Sequence, residues 1–260
     1  MAHLLGLECP NFTCAVFSTA VSRHPDVTLH EELAAGDGVN RWLLLAFART
    51  LDDPVTLTTM AALAASKRLG AGAQPCTVLF VVCESKAACA SKVAQAAGLL
   101  EAVDGFEDSD TLECVPPPQR SCPPLGSHSA SFRYKIVCDE EAIIHYQYGC
   151  CRAGCGEEPP FRRHLLPGRT CCLIAPDRSV HALQVYPEAV GANVPEIERL
   201  HACCALTFKQ PFGTRHNYLQ GEDMFLDPDL NEEQAETACP RGFAEIRPWF
   251  RLVPPAAEDE

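Results

Sequence analysis

Thr77 to Cys83 reads Thr-Val-Leu-Phe-Val-Val-Cys, an unbroken β-prone run without a charge or a turn former. A strand of this kind carries apolar side chains on both faces, so its sheet needs a packed layer on each side. Glu84 and Ser85 follow, then an alanine-rich stretch from about Lys86 to Leu100 that reads as helix. Strand, turn and helix in that order are the unit of an α/β layer.

A chain of 260 residues with 47% apolar and 21% charged residues can build such layers around a sizeable core. The formal net charge of −13 repels phosphate backbones and anionic membrane surfaces, which disfavours nucleic acid and membranes as partners. The longest apolar stretch, Trp42 to Ala48, is far short of the roughly 20 residues needed to cross a bilayer. The N-terminus has no basic segment, and Glu8, Cys9 and Pro10 interrupt any signal-peptide core. Sixteen cysteines in such a chain therefore read as reduced thiols in the cytoplasm or nucleus, many of them acting as small apolar residues. The sequon Asn11-Phe12-Thr13 loses its meaning in that setting.

Along the chain the expected class is α+β. A helix-rich N-terminal part holds the buried strand, and an antiparallel, strand-rich part forms the C-terminal side. Asn40 is placed to cap a helix from Arg41 to about Thr50, apolar all round and hence central, ended by Asp52-Asp53-Pro54. A second helix is expected from Thr58 to Gly70. The acidic loop 104–110 and the prolines of 114–127 mark a linker between parts spanning 1–113 and 128–260, two domains or a single packed one. Beyond it, alternation at Phe132, Tyr134 and Ile136, then at Ile144, Tyr146 and Tyr148, predicts a hairpin. A second hairpin is expected over 170–186 around Pro176-Asp177-Arg178-Ser179. Helices are expected from Pro195 to Phe208 and from Asp229 to Cys239, with a closing strand from Phe243 to Val253.

Three groups of residues carry candidate chemistry. Cys151, Cys155, His164 and Cys171 lie in a thiol-rich loop and are of the types zinc prefers, although the chain contains no C-x-x-C knuckle. Zinc is thus the cofactor to consider. His201 and Cys204 lie three apart on a predicted helix, on one face, where a thiol nucleophile could meet its base. Arginines outnumber lysines sixteen to five, and Arg162, Arg163 and Arg169 cluster by the thiol-rich loop, a surface suited to a protein partner with acidic groups.

No G-x-S-x-G, P-loop or H-E-x-x-H motif is present. The run Val78 to Lys86 resembles the strand and turn that open the second lobe of superfamily 2 helicases, over about twenty residues. That family's phosphate loop and acidic metal motif are missing, so the run is read as a common α/β unit. The thiol-heavy composition is similar to that of intracellular regulators of large DNA viruses. The first expectation is therefore a non-enzymatic, intracellular regulatory protein that binds another protein, in the manner of a host-modulating viral factor. The alternatives are a divergent enzyme with a cysteine nucleophile and a protein with a structural zinc site in its C-terminal part.

Overall fold

A computed structural model describes residues 4–18, 26–34, 41–70, 74–93, 135–150 and 169–255. The buried run forms β4 (Cys76–Val82), and the segment before it, expected as a helix, is instead a strand, β3 (Trp42–Ala48). All seven residues of β3 are buried. Trp42, Leu44 and Ala46 point into one core, while Leu43, Leu45 and Phe47 point into another. An all-apolar run this short has no helical or strand period of its own, and two packed layers settle it as strand. Asp52-Asp53-Pro54 then starts a helix rather than ending one. Asp53 caps α2 (Pro54–Ala65), accepting hydrogen bonds from the backbone N–H groups of Val55 and Thr56, with proline in the first turn. A short α3 (Lys67–Gly70) leads to β4, and β3 and β4 pair in parallel, Trp42 opposite Cys76 through Ala48 opposite Val82.

The remaining strands join this pair. β5 (Lys135–Cys138) runs parallel to β4, and β1 (Thr13–Ser18) and β2 (Asp26–Thr28) extend that edge antiparallel. β6 (Arg169–Ile174) lies antiparallel to β3, and β7 (Val180–Tyr186) closes the other edge. The seven strands are ordered β2-β1-β5-β4-β3-β6-β7. Strands from both ends of the chain therefore interleave in one mixed sheet. The expected α+β division, helix-rich first and strand-rich after, is overturned. The centre of the sheet is a parallel α/β unit, and non-local pairing supplies its flanks.

Two cores cover the sheet. On one face α2, α3, the helical residues 86–93 (α4) and α6 (Val194–Thr207) bury Met60, Leu63, Leu69, Cys89, Val93 and Ile197 against Trp42 and Phe80. On the other, the N-terminal segment, α1 (Leu29–Ala34) and α5 (Ile143–Gln147) cover Leu45, Phe47 and Val81 with Phe12, Leu29, Ile144 and Tyr148. The expected second strand of the first hairpin is α5. Asp139 accepts the backbone N–H of His145 with its side chain, which holds that turn helical against the local alternation. The 170–186 hairpin is formed as expected, with Arg178 at φ +71° in its turn.

After α6 come β8 (Phe212–Gly213), β9 (Met224–Leu226), α7 (Glu232–Ala238), β10 (Ala244–Arg247) and β11 (Phe250–Val253). Their strands form a second, four-stranded antiparallel sheet ordered β10-β11-β9-β8. The closing strand is thus a hairpin, and Pro248 lies in its turn, where its missing N–H breaks no ladder. The proline-rich stretch 114–127 lies outside the described residues. Among those described, no helix is long and apolar enough to cross a membrane.

Candidate active site

The three parallel strands end on the same side, and the residues just past their carboxyl ends converge. This is where ligands bind in open α/β sheets. Ala48 ends β3, Cys83 and Glu84 follow β4, and Asp139 follows β5. α5 brings His145 among them. Its Nδ1 lies 2.7 Å from Asp139 Oδ2 and 3.3 Å from Cys83 Sγ, and its Nε2 lies 3.3 Å from the carbonyl of Ala48. All three side chains are buried, and the Phe47 ring packs edge-on against the imidazole.

Each ring nitrogen of His145 faces an oxygen atom, Asp139 Oδ2 at Nδ1 and the Ala48 carbonyl at Nε2. The imidazole ring is held between a carboxylate and a carbonyl, with the sulfur of Cys83 at its edge. Cys83 and Asp139 address the same nitrogen, so the ring does not bridge them from opposite positions. The same three atoms lie within 4.8 Å of one another and could together hold one metal ion.

A cavity of about 360 Å³ opens beside the thiol, lined by Arg49, Thr50, Cys83, Glu84, Lys92 and Glu140 among others. Glu84 is buried and receives the Lys92 ammonium at 2.6 Å; Lys92 also pairs with Asp52, and these partners hold its pKa above the ordinary lysine value against the cost of burial.

A second polar cluster sits at the first turn of α2. The Arg169 guanidinium is ion-paired with Asp53 and donates to Thr56 Oγ1 at 3.4 Å, while the Thr56 hydroxyl donates to Asp53 at 2.7 Å. A helix N-terminus beside an arginine is a setting that acidifies a thiol. Here, however, the residue is Thr56, and no cysteine occurs between Cys14 and Cys76. The thiol that lies just past the carboxyl ends of the parallel strands is on another element, at Cys83 after β4.

The residues singled out from sequence lie elsewhere. His201 is buried on α6 with its ring edge-on to Trp42, and burial lowers its pKa. Cys204 is half-buried against the same core, and burial pushes its thiol up to about 11, so neither has the setting of a nucleophile or its base. Arg169, expected on a partner-binding surface, is buried. Cys171, expected as a zinc ligand, points from β6 into the apolar core, its thiol pushed up to about 12. Cys151, Cys155, Arg162, Arg163 and His164 lie outside the described residues. The Cys83–His145–Asp139 group was not singled out, because its members are 62 and 6 residues apart in sequence.

A mixed sheet with parallel centre and helices on both faces defines a thioredoxin-like scaffold. Comparison with known proteins specifies it further. No family model matches the sequence. A 1-Cys peroxiredoxin of Dictyostelium discoideum is 25% identical over 128 residues, 49% of this chain and 50% of that protein. Peroxiredoxin-6 of Mus musculus is 31% identical over 74 residues, 28% of this chain and 33% of that protein. The chain thus spans about half the length, or less, of the curated relatives it matches. Among solved structures, yeast mitochondrial 1-Cys peroxiredoxin superposes with a TM-score of 0.68 at 17% identity, covering 96% of this chain and 98% of that one. A cysteine-to-serine mutant of peroxiredoxin 6 from Arenicola marina gives 0.67 at 18% identity, covering 98% and 99%. The fold is the peroxiredoxin form of the thioredoxin-like fold.

These likenesses overturn the expectation of a non-enzymatic regulatory or host-modulating viral protein, because the related proteins are redox enzymes by name. The accompanying readings of a protein-interaction surface and a zinc module lose their support with it. The alternative of an enzyme with a cysteine nucleophile fits them better.

Proposed function

We propose that this chain is a thiol-dependent redox enzyme that reduces hydroperoxides, with Cys83 as the reacting thiol. The observation that carries the reading is Cys83 Sγ at 3.3 Å from an imidazole locked by Asp139 and Ala48, at the edge of a cavity. In the first step the Cys83 thiolate attacks the peroxide oxygen; the O–O bond breaks, a proton goes to the departing oxygen, and a sulfenic acid and an alcohol or water result. A small thiol or a protein dithiol then attacks the sulfenic sulfur, releasing water and leaving a mixed disulfide, which a second thiol reduces. A structural neighbour is described as resolving its thiol via glutathione/thioredoxin systems, which supports a thiol reductant or a redox protein as partner. Cysteines such as Cys76, Cys89, Cys171 and Cys172 stand as buried thiols within the two cores, which supports a reducing compartment, cytoplasmic or nuclear.

Cys83→Ser should lower peroxide consumption by about 10² or more, and His145→Asn should raise the pH at which Cys83 alkylates. Consumption followed with a thiol reductant present checks the first. A Cys83→Ser protein that keeps its peroxide reduction rate would remove Cys83 from this role.

A further inference from the structure

We infer that Cys83, Asp139 and His145 form a binding site for one divalent transition-metal ion, and that an ion held there takes Cys83 out of reaction. The binding stands on geometry alone; its effect on turnover rests on the proposed function. None of the three residues belongs to the thiol-rich loop that the sequence suggested for zinc.

Three donor atoms of three kinds meet at one point. The sulfur of Cys83, Nδ1 of His145 and a carboxylate oxygen of Asp139 all lie within 4.8 Å of one another. Nδ1 is 3.3 Å from the sulfur and 2.7 Å from Asp139 Oδ2. A first-row cation bonded at about 2.0–2.3 Å to such ligands spaces them about 3–4 Å apart, so the group need open by less than about 1 Å to admit one. Sulfur and imidazole nitrogen select a borderline transition cation over magnesium or calcium, which take oxygen ligands. The carboxylate in turn disfavours monovalent copper, which prefers soft sulfur donors.

The surroundings supply what metal ligands need beyond their own donor atoms. With a cation on Nδ1, the imidazole keeps its proton on Nε2, which faces the Ala48 carbonyl at 3.3 Å. A ligating histidine commonly donates its far N–H to such a carbonyl, which fixes the ring. Asp139 Oδ2 accepts the backbone N–H of His145 at 2.9 Å, and the Asp139 N–H donates to the Val82 carbonyl at 2.8 Å. These bonds tie the three ligands to the ends of β3, β4 and β5, so the donors are positioned before an ion arrives. Their exposures are 7% for Cys83, 4% for Asp139 and 3% for His145, which limits competition from water, and the cavity that Cys83 lines gives an ion a way in. On binding, the sulfur coordinates as thiolate and any proton it carried passes to solvent. Its electron pair is then committed to the cation and does not attack a peroxide oxygen.

Cobalt(II) reports its own ligands and serves as the probe. One equivalent added to the reduced, metal-free, full-length protein should give a thiolate-to-cobalt charge-transfer band. Cys83→Ser should abolish that band, and Asp139→Asn, which keeps an acceptor for the His145 N–H, should weaken binding by about tenfold or more. With free cobalt(II) at about ten times its Kd, iodoacetamide labelling of Cys83 and peroxide consumption should each fall about tenfold, and a chelator should restore both. Labelling is read by peptide mass spectrometry. A wild-type protein without the band overturns the inference whether or not the variants fold. A band that survives Cys83→Ser at full intensity belongs to other sulfurs and overturns it too, as does Cys83 labelling that cobalt(II) leaves unchanged in the wild type. A Cys83-dependent band in a metal-free protein that consumes no peroxide keeps the site and overturns the enzyme reading alone.

Discussion

Thr56 and His201 illustrate how single buried polar residues behave in this fold. Thr56 is 3% exposed, yet its hydroxyl both donates to Asp53 and accepts from Arg169. Thr56→Val keeps the shape and deletes both bonds, leaving charged partners short of a contact. It should cost about 1–3 kcal/mol, read as a lower urea midpoint at unchanged slope. His201 and His181 pack against Trp42, and burial lowers the pKa of each below the ordinary 6.5. The folded state then resists the proton that the unfolded chain accepts. The stability they confer is fully present above pH 6.5 and is lost as pH falls from there through their folded values. The urea midpoint should accordingly drop between pH 7.5 and 5.5, and His201→Phe should flatten that dependence.

At the scale of elements, α2 is anchored by its first turn. Its apolar side packs Met60 and Leu63 onto the sheet, while Asp53 caps its start and pairs with Arg169 from β6. Asp53→Ala removes a cap worth about 1 kcal/mol and also leaves a buried guanidinium without its carboxylate, so the total loss should be about 3–5 kcal/mol. Pairing it with Arg169→Met should restore part of that loss, and a double-mutant cycle by chemical denaturation measures the restored part. β3 shows the complementary case. Its identity as a strand is imposed from outside, by β4 on one edge and β6 on the other. Leu45→Ala, which opens a hole where the residue is fully buried, should cost about 2–5 kcal/mol in the same assay.

Across the whole molecule, thiol reactivity should follow depth in the two cores. Cys171 and Cys172 lie side by side on β6 and face opposite cores, and burial raises the pKa of both. Cys89 and Cys138 meet in the helix-covered core with sulfurs 3.6 Å apart. Of the twelve described cysteines, Cys83, Cys14 and Cys204 should be alkylated first in native protein, since the first lines the cavity and the others are half-exposed. Cys89, Cys171 and Cys172 should react only on unfolding, and timed labelling with mass spectrometry reads that order.

Several features were legible in the chain itself. The β-prone run at Thr77 to Cys83 demanded a layer on each face, and the structure has both. Proline at the first turn of α6 and the Pro176–Ser179 turn marked a helix and a hairpin through local chemistry, which acts over a few residues and needs no partner. Tertiary structure decided the rest. Trp42 to Ala48 has an apolar surface that satisfies a buried helix as well as a buried strand, and only the neighbours β4 and β6 supply the hydrogen bonds that select strand. Ile144 to Tyr148 alternates like a strand, yet Asp139 captures the backbone and winds it into α5. That same turn carries His145 to Cys83, so the candidate site depends on a local winding that periodicity contradicts. No spacing rule joins Cys83, Asp139 and His145. They meet because three parallel strands end together, and that is a property of the sheet's order rather than of any one segment.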